Sequence, residues 1–594
     1  MNRPNNRRTD PGGLSGDTLA VVMLSVTALV AGIGVWIAVT LGYQLAGRVD
    51  ELPADAFARV FGVFTGKVAW LPASTWIGAA VFVVGLAIGS LLLWFVLSGQ
   101  KNRTRVDRSA QYMGIGKDVE ALTEKAAQAT AQRLGVAGSV GVPIGTHLYS
   151  GKPLFGSWED MHIDIWGPRT GKTTSRAVPA ILDAPGACLV TSNKRDVVDA
   201  TRDVRAARGP INVFDPQGIA LEEPTWYWLP LSYVTDEVRA AKLAEHFANG
   251  SREAGAKTDA YFEPAGQDLL AGLLLAAALD ERPITDVYRW ITRPTEREPV
   301  FILKRHDMVL MADQVAGIIN APEKQRGGVY GTAQQMVSCL TNRSIVKWIT
   351  REEGDTRPEF SPADFVRRGG TLYSLSKEGK GTAGPLVTAL TVAVVEAAEE
   401  LAVMSPGGRL ATPLLGVLDE AANVCRWRSL PDLYSHYGSR GIVLMTILQS
   451  WSQGVEVWGE SGMRKLWSAS NVKCYGGGVS ETAFLEDLSR LVGEHERVRT
   501  SVSSGRGQRS VSSQVQRERT MDVADLGAMP KGRALVIASG SRPTLVRTQP
   551  WMRGQYEEQV RASIAAHDPQ GARTLTDAFS ELNTVEQHES RVES

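Results

Sequence analysis

The stretch GPRTGKTT at 167–174 holds the residue types of a phosphate cradle: two glycines, one lysine and a run of hydroxyls. Backbone N–H groups of such a loop can hold phosphate oxygens at a helix N-terminus, with Lys172 neutralising the β- and γ-phosphates and the Thr173 hydroxyl ligating Mg2+. Gly167, Pro168, Arg169, Thr170, Gly171 and Thr174 complete the candidate ATP contact. The spacing is imperfect: in G-x-x-x-x-G-K-[ST] the first glycine falls on Trp166, whereas this chain offers Gly167, one residue late. Far downstream, LLGVL at 414–418 reads as an apolar strand ending in Asp419 and Glu420. Asp419 can hold Mg2+ through water, and Glu420 can polarise an attacking water. A third apolar run, 442–448, ends in Gln449, placed to hydrogen-bond that water or the γ-phosphate. A phosphate loop and an acidic strand end, in this order, predict nucleotide hydrolysis. The eight histidines show no ligand spacing, and none is assigned to a metal.

The elements that must position these groups are legible as strands. MHIDIW at 161–166 alternates, the loop follows, and 175–182 reads as a helix. Short apolar runs at 187–191, 211–215 and 371–375 fit the same sheet, with helical segments between them, which argues a parallel α/β sheet. Between 236 and 365 the spacing turns helical, as for an all-α domain inserted into the α/β body. The body then spans 109–235, which begins with a polar linker, and 366–564. The basic stretch 497–519 has Arg506, Arg509, Arg517 and Arg519 but no interleaved aromatics, so base stacking is unsupported and it reads as a mobile hairpin between two strands, with a phosphate-tracking loop as the alternative. Residues 565–594 are polar and weakly patterned, as expected of a disordered tail.

With 594 residues, 43% apolar and 22% charged, the chain is a folded, multidomain protein. Lys+Arg and Asp+Glu are both 64, so no global basic field advertises nucleic acid or an anionic membrane. Cys188, Cys339, Cys425 and Cys474 are far apart and read as small core residues of a reducing compartment. The N-terminal region differs from the rest: residues 18–47 and 68–100 contain no charged residue, and a membrane-spanning helix needs about twenty apolar residues. Two spans are expected within 1–108. Arg3, Arg7 and Arg8 precede the first, and Lys101, Arg103, Arg105 and Arg108 follow the second, which places both termini in the cytoplasm.

Further motifs surround the site: TSNKRD at 191–196 followed by Thr201, VFDP at 213–216 with WLPL at 228–231, LDEAAN at 418–423, GSRGI at 438–442, and LGAMPKG at 526–532 with SRP at 541–543. Over about 150–550 the chain resembles the TraG/TraD type IV secretion coupling proteins, membrane-anchored ATPases that hand DNA to a conjugation channel. The resemblance implies a RecA-like P-loop motor domain with an inserted all-α domain, preceded by two transmembrane helices in the cell membrane. Lys172, Thr173, Asp419, Glu420 and Gln449 match the family's ATP and Mg2+ site, and Arg440 matches its arginine finger, which reaches a neighbouring subunit's γ-phosphate and so implies a homo-hexameric ring. The implied partners are DNA, a relaxase and the components of the secretion channel. Two departures stand out: the shortened phosphate loop, and Ala421-Ala422 in place of a bulkier residue after the acidic pair. Protein effectors as cargo, or a nucleotide-binding scaffold of the secretion complex, are the alternative readings.

Overall fold

The computed structural model describes residues 16–101, 104–252, 259–379, 381–505 and 508–593. The chain divides into two units, one of Met1–Arg108, Glu494–Thr520 and Glu586–Ser594, the other of Ser109–Gly493 and Met521–Val585. The strands, in chain order, are β1 (Val142–His147), β2 (Pro153–Gly156), β3 (His162–Ile165), β4 (Cys188–Ser192), β5 (Ile211–Phe214), β6 (Thr371–Leu375), β7 (Leu414–Leu418), β8 (Ile442–Leu448), β9 (Val472–Tyr475), β10 (Glu494–Gly505), β11 (Gln508–Arg519), β12 (Arg533–Ala538) and β13 (Thr544–Arg547).

The larger unit is built on one sheet of order β2-β1-β13-β12-β9-β3-β8-β7-β4-β6-β5. From β9 to β5 every pairing is parallel. Its central strands β3, β4, β7 and β8 are buried along their whole length, which is why β4, β7 and β8 read as near-continuous apolar runs, while β3 alternates and buries His162 and Asp164 as well. One face packs Val190, Val417, Met445 and Tyr373 against Ala177, Ala180, Ile181, Val197 and Val198 of the helical segments that follow β3 and β4. Beyond β9 the sheet continues antiparallel through β12, β13, β1 and β2, so it is mixed rather than wholly parallel. Of these outer strands, β1 and β2 carry Pro and Gly and lack the apolar signature of the centre, whereas β12 holds the apolar run Ala534–Ala538.

β5 and β6 are hydrogen-bonded neighbours, yet a run of helices from Glu237–Ser251 to Pro362–Arg368 lies between them in the chain. Asp236 caps the first by accepting from the Arg239 N–H, and Ser361 with Pro362 starts the last. Among the described residues, Phe262–Leu279 is long and apolar enough to cross a membrane; 56% of it is buried, and it packs against the helices Glu237–Ser251 and Glu323–Met336. The C-terminal segment departs from the expected disordered tail. Helices cover Glu557–His567 and Gly571–Glu593, and Leu575, Ala578, Phe579 and Leu582 form a stripe at helical spacing, which packs with Val560 and Ile564 against Val178, Leu182 and Ala200.

The smaller unit contains two 30-residue helices, Gly16–Leu45 and Pro72–Lys101, at the positions of the expected spans. They pack against each other, and Gly42 permits the close approach: a Cβ there would lie 2.1 Å from Ser74 Oγ. Val39, Tyr43 and Val68 form the core at this end, and the Tyr43 hydroxyl donates to the Ala69 carbonyl at 3.0 Å. A short helix, Ala56–Phe64, joins the two. β10 and β11 pair antiparallel along their full length as a separate two-stranded ribbon.

Candidate nucleotide site

The carboxyl ends of adjacent parallel strands are where α/β sheets place ligands. Here β3 leads into Gly167, β7 into Asp419, and β8 into Gln449, with Ile165 paired to Leu448 and Leu418 to Thr446. The loop is anchored at its start: the Trp166 N–H donates to Leu448 O at 3.0 Å and the Gly167 N–H to Gly477 O at 2.9 Å. Gly476, Gly477 and Gly478, which follow β9, lie hard against it. A Cβ on Gly167 would sit 2.0 Å from Gly478 O, and one on Gly476 would sit 2.0 Å from the Trp166 ring.

The shortened loop turns through Arg169, a non-glycine residue in the left-handed region at φ 59°, and through Gly171 at φ 89°. Thr170 Oγ1 donates to Gly167 O at 2.6 Å and Thr174 Oγ1 to Gly171 O at 3.1 Å, so these hydroxyls hold the turn itself. Pro168 and Arg169 are exposed, and Thr170 to Thr174 are half-buried. The chain then makes a π turn over Thr173–Ala177 before the α-helix Val178–Asp183. Such turns recur at functional sites. This helical run is fixed to β3 by a buried ion pair: Arg176 Nε donates to Asp164 Oδ1 at 2.8 Å and its Nη2 to Oδ2 at 3.1 Å.

At the mouth of the loop, Lys172 Nζ lies 3.1 Å from Asp419 Oδ1 and forms an ion pair with Glu420. Asp419 and Glu420 are each 3% exposed. Burial opposes the Lys172 charge, but Asp419 and Glu420 outweigh it and lift its pKa above the ordinary lysine value. Burial pushes Asp419 up to about 6, aided by the Glu420 charge and opposed by Lys172. Gln449 Nε2 donates to both Glu420 oxygens, at 2.8 and 2.7 Å. Glu420 itself takes the left-handed backbone at φ 55° where β7 turns into the helix Ala421–Val424, strain of the kind found at working sites.

The structure thus brings together Lys172, Thr173, Asp419, Glu420 and Gln449, and it places Arg440 elsewhere. Arg440 ends the turn Gly438–Arg440 ahead of β8, paired with Glu399. The seven residues of β8, at about 3.3 Å each, put roughly 20 Å between it and Gln449. Several neighbours carried no role in the sequence reading: the glycine run 476–478, whose signal is three consecutive glycines after a strand; Asn193 and Asn423, inside quoted motifs; and Glu378, which has no signal of its own. Asn423 Nδ2 lies 3.4 Å from Glu420 Oε2.

Residues 413–531 match the family model described as the TraM recognition site of TraD and TraG, which agrees with the resemblance to TraG/TraD-type coupling proteins carried by the motifs. No curated protein matches the chain. Among solved structures, the unbound monoclinic form of the bacterial conjugative coupling protein TrwBdeltaN70 superposes with a TM-score of 0.50 at 19% identity, covering 68% of this chain and 88% of that one. The plasmid coupling protein TrwB in complex with the non-hydrolysable ATP analogue ADPNP gives 0.50 at 17% identity, over 68% and 89%. The same protein in complex with ADP and Mg2+ gives 0.50 at 18%, over 68% and 89%. At these identities the likeness is one of fold: a mixed α/β body with a large parallel sheet.

Proposed function

We propose that the chain is a membrane-anchored, ATP-hydrolysing coupling protein that recruits relaxase-bound DNA and pumps it into a conjugation channel. The observation that carries this reading is the convergence of Lys172, Asp419, Glu420 and Gln449 at the carboxyl edge of the sheet. The similar coupling protein binds an ATP analogue, and also ADP with Mg2+. The residues present suit that ligand. Asp419 Oδ1 is buried and accepts no hydrogen bond of good geometry, although Lys172 stands beside it. Asp419 and the Thr173 hydroxyl would hold Mg2+, which supplies charge neutralisation at the phosphates.

In the hydrolysis step, loop N–H groups and Lys172 bind the phosphates, so Lys172 exchanges the two carboxylates for phosphate oxygens. Glu420, released from the ammonium and still held by Gln449, accepts a proton from the attacking water. Arg440 serves the site of a neighbouring copy in a homo-hexamer. The two 30-residue helices, each about 45 Å long, exceed a hydrocarbon core of about 30 Å and support anchorage in the cell membrane with both termini cytoplasmic. The match to a TraM recognition site supports a partner within the DNA-processing complex.

ATPase rates of the full chain in detergent, with and without single- and double-stranded DNA across a salt series, test the reading. DNA stimulates turnover, and its apparent affinity falls as salt rises because phosphate contacts release counterions. Turnover in wild type equal to that of Lys172→Ala would refute nucleotide hydrolysis at this site. Absence of DNA binding at low salt would redirect the cargo to protein.

A further inference from the structure

We propose that Glu378 is a positioning residue for Glu420, acting through Asn423, and that it makes hydrolysis answer to the loop between β6 and the helix Gly384–Met404. The proposal rests on the reading of Glu420 as the base of an ATPase. Asn423 Nδ2 donates to Glu378 Oε1 at 2.9 Å and lies 3.4 Å from Glu420 Oε2. Asn193 Nδ2, just past the end of β4, donates to the same Glu378 oxygen at 2.8 Å. An exposed carboxylate is therefore gripped by two amides, one of which also touches the buried base.

An asparagine amide has two N–H groups, so one can serve each carboxylate. The Glu378 bond fixes how the Asn423 amide is turned, and that turn aims the second N–H at Glu420. Asn423 cannot drift away by its backbone, because its N–H and that of Val424 donate to Glu420 O at 2.8 and 3.0 Å. The loop that bears Glu378 is gathered at both ends on one atom: Gln217 Oε1 accepts from Ser376 Oγ at 3.1 Å, Lys377 N at 3.0 Å and Ala383 N at 3.1 Å.

The consequence emerges once phosphate takes over Lys172. Glu420 then loses its ionic partner and is oriented by two neutral amides, Gln449 and Asn423. Gln449 follows directly from β8 and is fixed by the sheet; Asn423 is fixed by Glu378. A displacement of the surface loop is thereby transmitted over two hydrogen bonds to the group that activates water.

Steady-state hydrolysis by the full chain in lipid nanodiscs tests this. Glu378→Ala lowers kcat ~10- to 100-fold, the cost of a small misplacement of a catalytic group, while KM for ATP stays within about twofold because the phosphate loop is untouched. Glu378→Gln, whose side-chain carbonyl still accepts from both amides, retains kcat to within a few-fold of wild type. An unchanged kcat in Glu378→Ala, or equal losses in the two variants, overturns the proposal. The Asn423 side-chain amide provides a readout without turnover: by NMR, Glu378→Ala speeds solvent exchange of its NH2 protons, which have lost the Glu378 acceptor, and unaltered exchange there also overturns it. A wild-type chain that hydrolyses no ATP but shows this coupled exchange would defeat the ATPase reading and leave the relay standing.

Discussion

Lys172 has two sets of anionic partners available to it, the buried carboxylates it touches and the phosphates the loop is shaped to hold, and the exchange between them separates binding from hydrolysis at single residues. Glu420→Gln keeps the shape and the contact with Gln449 while removing the base. It should bind a fluorescent ATP analogue with near wild-type affinity and hydrolyse ATP ~100- to 10,000-fold more slowly; undiminished turnover would remove Glu420 from that role. Asp419 supplies a pH signature. Its folded pKa of about 6 lies above its unfolded value of 3.8, so it binds its proton more tightly when folded. Its contribution to stability is complete below about pH 4 and is lost as pH rises through about 6, above which the ionised group is a net cost. Asp419→Asn carries no such cost. The variant should therefore melt higher than wild type at pH 8, on the order of a few degrees, with the advantage shrinking toward pH 4. A pH-independent difference in Tm would show that the Asp419 charge is not a burden to the fold, and loss of activity alongside the gain in Tm is the expected trade-off at a working site.

At the scale of elements, the phosphate loop is held from below by a second loop that no motif announces. Gly476→Ala would drive a methyl group to 2.0 Å from the Trp166 indole, a fully buried ring with little room to yield. That single methyl should weaken ATP binding at least tenfold, read by nucleotide titration; unchanged affinity would mean the loop is shaped without help from the glycine run. The contrast between visible and hidden elements has a physical basis. The strands at 371–375, 414–418 and 442–448 appear where the apolar runs placed them, because parallel strands buried on both faces leave no polar alternation to confuse the reading. Within the antiparallel extension, β1 and β2 are hidden because VPIGTH and PLFG look like turns until a partner strand pairs with them. The C-terminal helix is hidden in the sequence because its four apolar residues are diluted by polar ones, and only their spacing, matched to a receiving surface of Val178 and Leu182, makes them a face. Within the site, Lys172, Asp419 and Glu420 were legible as charged residues in a fixed order. Asn193 and Glu378, polar residues just past strand ends, are common in ordinary turns, and only strand adjacency, β7-β4-β6, brings them to Asn423.

For the molecule as a whole, the position of Arg440 sets the condition under which it could serve the proposed nucleotide site. The phosphate loop and the acidic pair occupy the carboxyl edge of the parallel strands, whereas Arg440 lies before the amino end of β8, roughly 20 Å away along the strand. It is only partly exposed and already paired with Glu399, so within one chain it cannot reach a nucleotide at Lys172. Head-to-tail assembly removes the difficulty, since a heterologous ring brings one edge of each copy against a different edge of the next. A shared site makes a quantitative demand on mixtures. Arg440→Ala and Lys172→Ala should each be inactive alone, because every interface lacks one of the two groups. In equimolar mixed rings, an interface is complete when the copy giving the phosphate loop is Arg440→Ala and the copy giving the arginine is Lys172→Ala, a chance of one half for each. About a quarter of wild-type turnover should therefore return. Native mass spectrometry establishes that both variants enter the same rings, and parallel ATPase assays measure the recovery. Rings of verified mixed composition that stay inactive, or full activity in Arg440→Ala alone, would show that Arg440 serves no neighbour and that its pairing with Glu399 is its whole role.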